Sequence, residues 1–332
     1  MLVIEEKFVS EEIILIEVKN LVKKYATNTA LDDVSISFEG VGIHGILGPK
    51  GAGKSTLVDI ISGCVLPTSG SAFVDGKDSF YDFEAKRKLS YLPELPPLYS
   101  NMTVYEYLVF VGEAKMVAYD KLYRNVNSVM ELTYIEDIKD TVIKNLSKGD
   151  KKRVGIAQAM LGNPDVIILD EPFAYLSAEQ TREMYDMIKK LGDIKNVIIS
   201  TQRLSDVLAL CSDVAILSGG KLLVHDTVEN LEKKLASSES IVLSVRGTED
   251  TVISALKKVE GAKECIVLAK GRDSLSLKIE YDNGVDIRDE LFAVLSEAKC
   301  PILSMNVEKV TLGDVYMKLV GSANKNSDEE DK

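Results

Sequence analysis

Two patterns of apolar and polar positions divide the chain. From about residue 12 to 235, short apolar runs alternate with stretches at helical spacing, the order expected of a parallel α/β sheet. Val41-Gly42-Ile43-His44-Gly45-Ile46-Leu47 predicts a buried strand, and Thr56-Leu57-Val58-Asp59-Ile60-Ile61 predicts a helix after it. Val166-Ile167-Ile168-Leu169 and Val197-Ile198-Ile199-Ser200 are bounded by turn residues and predict further buried parallel strands. Ile13 to Val18 and Val34 to Phe38 predict half-buried strands of an antiparallel edge sheet. Val214 to Leu217, the turn Gly219-Gly220 and Leu222 to Val224 predict a closing hairpin. Asp78 to Asn145 is more polar and less regular, and predicts a mostly helical insertion.

After about Ala236 the pattern changes, with Ser237-Ser238-Glu239-Ser240 as a linker. Strand 241–245, helix 249–259, strand 264–269, a turn at Gly271-Arg272-Asp273, strand 274–281, helix 287–298 and strand 302–307 follow. This βαββαβ order is that of a ferredoxin-like α+β domain, and it carries no catalytic constellation. A short helix, 312–320, precedes an acidic, Ser/Asn-rich end that predicts a disordered tail. The expected domains are 1–236, 237–320 and the tail 321–332.

Composition removes several function classes. A net charge of −12 gives no basic footprint, so no nucleic-acid partner is expected. Cys64, Cys211, Cys265 and Cys300 are scattered, with no C-x-x-C pair to suggest a disulfide framework or zinc site. No apolar run reaches the roughly 18 residues of a membrane span, and the acidic start lacks the basic region of a signal peptide. Only His44 and His225 are present, the second placed after the hairpin, which argues against His-based metal clusters and Ser/His triads.

Chemistry enters with Gly48-Pro49-Lys50-Gly51-Ala52-Gly53-Lys54-Ser55-Thr56, which satisfies G-x-x-x-x-G-K-[ST] between the predicted strand and helix. Glycines let such a loop wrap phosphate with its N–H groups. Lys54 adds charge toward the β and γ phosphates, and the Ser55 hydroxyl can ligate Mg²⁺. Further on, the strand ending in Val166-Ile167-Ile168-Leu169 delivers Asp170-Glu171-Pro172 to its carboxyl end, where ligands collect in α/β sheets. There Asp170 can hold Mg²⁺ and Glu171 can polarise the attacking water.

Between these motifs lies Leu146-Ser147-Lys148-Gly149-Asp150, followed by a helix ended by Gly162-Asn163-Pro164. Here the chain resembles the nucleotide-binding subunit of an ATP-binding cassette transporter, whose signature Leu-Ser-Gly-Gly-Gln starts that same helix. The resemblance covers about residues 12 to 235. It implies a P-loop NTPase fold, ATP and Mg²⁺ as ligands, and two cassettes sandwiching two ATP molecules. Each ATP then lies between one P-loop and the neighbour's signature, so Ser147 and Gly149 serve the neighbour. Tyr25 matches the aromatic that stacks on adenine, or is a surface tyrosine. Glu94 stands where a glutamine reports the γ phosphate and Mg²⁺ to the transmembrane partner; as an acceptor it can hold metal or water. The extra domain resembles single-cassette subunits that pair with separate membrane permeases, which places the chain at the cytoplasmic face of the membrane.

Departures from the family pattern matter. Lys148 and Asp150 replace a Gly and the Gln of the signature, and Ser177 stands where the loop usually has Asp. Gln202 stands where the switch histidine should follow the strand, and a glutamine cannot exchange a proton near neutral pH. Lys50, where the family loop usually has Asn, adds charge beside the triphosphate or is a solvated surface lysine. The expected function is ATP hydrolysis that drives a separate permease. The rivals are a regulatory partner with negligible turnover and a soluble cassette acting on ribosomes or DNA. Against the last stand the single cassette and the missing coiled-coil insertion.

Overall fold

A computed structural model of the chain describes residues 15–235, 238–271, 273–282 and 285–308, together with Gly313 and Tyr316. The expected tail lies outside the described residues, as does most of the predicted helix 312–320.

The first unit ends at Thr227. Strands β1 (Leu15–Tyr25) and β2 (Asn28–Glu39) pair antiparallel, each longer than the edge-sheet strand expected there, and β3 (Gly42–Leu47) leads through the P-loop into α1 (Lys54–Ile61). Next come β4 (Ser69–Val74), β5 (Lys77–Asp78), α2 (Phe83–Lys88) and β6 (Leu89–Leu92). The helical segment follows as α3 (Val104–Ala114), α4 (Tyr119–Leu132) and α5 (Lys148–Met160). The unit closes with β7 (Val166–Asp170), α6 (Ala178–Gly192), β8 (Asn196–Thr201), α7 (Leu204–Leu210), β9 (Asp213–Ser218) and β10 (Lys221–Thr227).

Two sheets result, one ordered β2-β1-β4-β5 and the other β10-β9-β3-β8-β7-β6. In the second, every pair except the β9/β10 hairpin is parallel, so β3, β8, β7 and β6 end side by side at one edge. Both faces of β7 and β8 are buried, which explains why they read as continuous apolar runs. Ile168 and Ile198 face the core shared with α1 and the antiparallel sheet. Ile167, Leu169, Val197 and Ile199 face the opposite core, with Ile156 of α5 and Met184 and Ile188 of α6. The expected insertion of Asp78 to Asn145 is corrected here, because β6 lies inside that range and belongs to the parallel sheet. Its four residues are too few to show a period. The helical part begins after it and packs a core of its own from α3, α4 and α5.

The second unit starts at Val228, so α8 (Val228–Leu235) goes with it. It continues as β11 (Ser238–Arg246), α9 (Glu249–Leu256), β12 (Ala262–Lys270), β13 (Ser274–Asp282), α10 (Arg288–Glu297) and β14 (Ile302–Glu308). The sheet order is β12-β13-β11-β14 with every neighbour antiparallel, the interleaving that a βαββαβ chain produces. Alternate residues such as Ile241, Leu243 and Val245 are buried with Leu291 and Leu295 of α10.

Candidate functional site

The P-loop leaves the carboxyl end of β3 and enters α1 with Gly53 at φ 98°, a left-handed turn suited to glycine. A Cβ on Gly53 would come 2.5 Å from the Ala30 carbonyl, and one on Gly48 would strike the Leu217 carbonyl. Both positions therefore require glycine. No side chain caps α1, so the first-turn N–H groups of the helix face outward with their positive dipole end. The cavity at this turn, about 430 Å³, is lined by Tyr25, residues 51–56, and also by Asn28, Thr29, Ala30 and Gly219. Tyr25 stands at its rim, 45% exposed, with the Lys23 ammonium 4.8 Å over its ring. Lys50 is exposed and is not part of the cavity wall.

Lys54 is buried. Its Nζ donates to the Gly48 carbonyl at 2.9 Å and the Pro49 carbonyl at 3.1 Å, and stands 3.8 Å from Glu171 Oε1. Burial lowers the Lys54 ammonium below its ordinary range, although Glu171 pulls the other way. Glu171, at φ 45°, follows the buried Asp170 at the end of β7. Its Oε1 is buried with no hydrogen-bond partner. Burial raises the Glu171 carboxyl, while a hydrogen bond from Gln202 and the charge of Lys54 only partly oppose it. Asp170 Oδ1 accepts from Ser200 Oγ at 2.6 Å, which fixes the carboxylate against β8.

Gln202 is exposed just past β8, within reach of Glu171 as its hydrogen bond requires. Its neighbours are pinned: Thr201 Oγ1 accepts from Arg203 N at 3.1 Å and donates to Asp206 Oδ2 at 2.6 Å. Glu94 lies past the end of β6. Its Oε1 accepts from the Tyr175 hydroxyl at 3.2 Å, and its carbonyl accepts from the buried Lys152 at 2.6 Å. Burial brings the Lys152 ammonium down to about 8, against the pull of Glu94, Asp170 and Glu171. Ser147 caps α5, and Gly149 sits beneath Gln180, whose Nε2 would lie 2.5 Å from a Cβ there. Neither lines the P-loop cavity. Ser177 caps α6 in a reciprocal box with Gln180, so its place in the loop is structural.

Sequence reasoning missed Ser200, Lys152 and Tyr175, and missed Asn28, Thr29 and Ala30 at the cavity. Only Gly219-Gly220 had a signal, the turn itself, which crosses the P-loop through Gly220 N to the Ala52 carbonyl at 3.2 Å. His225 is corrected: it belongs to β10, where its Nε2 meets Asp213 Oδ2 at 2.9 Å, and His44 Nδ1 meets Oδ1 of the same carboxylate at 2.6 Å. Among the described residues no three His, Cys, Asp or Glu side chains cluster as a metal site. The hydroxyl of Ser55 and the carboxylates of Asp170 and Glu94 are hard oxygen donors of the kind Mg²⁺ takes together with substrate phosphates.

The family profile for the ABC transporter matches residues 31–174. An uncharacterized ABC transporter ATP-binding protein of Methanocaldococcus jannaschii is 32% identical over 68% of this chain and 82% of its own length. The chain belongs to the ABC transporter family, as an ATP-binding cassette subunit. Cassettes of this family bind and hydrolyse ATP. The linearmycin resistance ATP-binding protein LnrL of Bacillus subtilis is 26% identical over 92% of this chain and 98% of its own length. A solved ATP-binding subunit of an ABC transporter superposes with a TM-score of 0.60 at 26% identity, over 66% of this cassette subunit and 92% of that chain. A post-hydrolysis cassette dimer bound to ADP and Pi has the same fold, with a TM-score of 0.58 at 22% identity, over 64% of this chain and 98% of that one. Among the described residues no helix is long and apolar enough to cross a membrane.

Proposed function

We propose that this cassette seats MgATP on its P-loop, closes with a second cassette around the nucleotide, and passes the motion to a separate membrane permease at the cytoplasmic face. The observation that carries it is the convergence of Lys54, Asp170 and Glu171, whose buried Oε1 has no hydrogen-bond partner, at the ends of β3 and β7 on either side of β8. Residues 51–56 cradle the phosphates with backbone N–H groups, and Lys54 neutralises them. Tyr25 stacks on the base after the Lys23 ammonium shifts from its ring. Ser55, Asp170 and Glu94 would hold Mg²⁺, which when bound offsets charge on the β and γ oxygens. Glu171 orients water in line with the γ phosphate. Its raised carboxyl pKa favours accepting a proton from that water. Ser147 and Gly149 contact the nucleotide of the second cassette.

The permease reading is supported by exposed apolar side chains, Tyr81, Phe83, Leu95 and Tyr99, around α2 and the loop after β6. A cavity of about 700 Å³ between α2, α3 and the end of α5 offers a seat for a permease segment. A second reading, a low-turnover regulatory cassette, is favoured by Gln202, whose amide hydrogen-bonds Glu171 but cannot take up a proton. Lys54→Ala decides the central reading. Calorimetric titration should show ATP affinity lowered at least about 100-fold, since a charge-assisted contact to phosphate contributes roughly 3 kcal/mol. Unchanged affinity in the folded variant would remove it.

A further inference from the structure

The signature turn holds its own hydroxyl proton. Ser147 Oγ donates to Asp150 Oδ2 at 2.6 Å and accepts from Asp150 N at 3.1 Å. A serine hydroxyl has one proton to give, so while this ring is closed Ser147 has none for a phosphate. The flanking lysines are directed elsewhere. Lys148 Nζ lies 4.8 Å over the Tyr175 ring, and Lys151 Nζ donates to the Lys144 carbonyl at 3.3 Å. The Asp150 carboxylate thus stands at the N-terminus of α5 and offsets the positive dipole end that would otherwise favour an anion.

We propose that Asp150 is a brake on ATP-driven closure: it withholds the Ser147 proton and sets a negative charge where the γ phosphate on a second copy of this chain arrives. This rests on the reading above that Ser147 and Gly149 serve the neighbour's nucleotide. Closure then requires the Ser147 hydroxyl to turn from Asp150 to the phosphate and the carboxylate to withdraw. The same charge makes closure sensitive to ionic strength, because added salt screens the repulsion between carboxylate and phosphate.

Sedimentation velocity of the full chain with Mg²⁺ and the slowly hydrolysed analogue ATPγS, across protein concentration and salt, tests this. Asp150→Asn should lower the nucleotide-dependent dimer dissociation constant about tenfold or more. The gain should shrink as salt rises, and Ser147→Ala in the same chain should reduce it to the salt-sensitive part that comes from the carboxylate charge. A residue that merely caps α5 would give the opposite sign, since removing its charge weakens the helix start. Dimerisation left unchanged or weakened by Asp150→Asn in a variant of normal melting temperature overturns the proposal alone, as does a gain that Ser147→Ala leaves undiminished. Absence of nucleotide-dependent association in every form would overturn the reading of Ser147 and Gly149, and the brake with it.

Discussion

Glu171→Gln should make the nucleotide-free chain more stable while it stops hydrolysis. The carboxylate is buried, its Oε1 has no hydrogen-bond partner, and its pKa is raised even with Lys54 at 3.8 Å and Gln202 beside it. A raised pKa means the charged form costs the fold free energy after every attraction has acted. The neutral amide has nearly the same size and removes that cost. The amide still places a polar atom at that position, so only the cost of the buried charge is recovered, and a gain of about 1–2 kcal/mol is expected. In a unit ending at Thr227, each 1 kcal/mol moves the melting temperature by roughly 2–4 °C, which predicts a rise of about 2–8 °C. The pH dependence has a fixed sign. The cost is absent below the unfolded carboxyl pKa and complete above the raised folded one, so the advantage should grow as pH rises through the folded pKa and vanish as pH falls below the unfolded one. Calorimetric melting in EDTA, paired with a hydrolysis assay expected to fall at least about 100-fold, reads both effects. A melting temperature that is lower or unchanged at neutral pH would show that Lys54 and Gln202 repay the burial of Glu171, and would refute the reasoning.

Gln202→His should raise single-turnover hydrolysis about tenfold or more in the complex with its permease; no change would mean that positioning by Gln202 suffices. Asp213→Asn should cost about 2–4 kcal/mol in urea denaturation, because it removes the charge and leaves only one of the two acceptors that His44 and His225 share. Burial opposes the Asp213 charge, but His225 and His44 hold the carboxyl well below its usual range. The loss should therefore be complete at neutral pH and shrink in strong acid, and an unshifted midpoint would contradict it. Residues 237–320 expressed alone should unfold cooperatively by circular dichroism as an accessory domain, and gradual melting or ATP binding would undo that division.

The parts of the site legible in the sequence are those where chemistry and chain order coincide. Gly48 to Thr56 and Asp170-Glu171 are contiguous, and each follows a strand whose two buried faces leave an unbroken apolar run. Gln202 could be placed because it trails such a strand, whereas Glu94 is placed by the family resemblance alone, since the four residues of β6 are only alternately buried and give no strand signal. What escaped is what the sheet brings together across the chain. Ser200 reaches Asp170 only because β7 and β8 are neighbours in register. Lys152 looks like one more solvated charge in a basic helix, yet it is 2% exposed because α5 turns it onto the Glu94 carbonyl. His44 and His225 looked unconnected, and share Asp213 through the pairing of β9 with both β3 and β10.

Two departures from the family pattern act on different halves of a composite site. Gln202 hydrogen-bonds Glu171, so under the proposed function it acts on the nucleotide this chain binds. Asp150 stands in the signature, so under the proposed brake it acts on the nucleotide that a second cassette binds. In a dimer of two copies both deficits meet at each ATP: closure is opposed by one chain's Asp150, and proton handling is lost at the other chain's Gln202. In a mixed dimer they separate. The partner's P-loop would face only Asp150, while this chain's P-loop would face only Gln202 if the partner signature is uncharged. The Asp150→Asn and Gln202→His variants therefore distinguish the two assemblies. In a dimer of two copies the substitutions act on the same site, so their effects on turnover couple. In a mixed dimer they act on different sites and add.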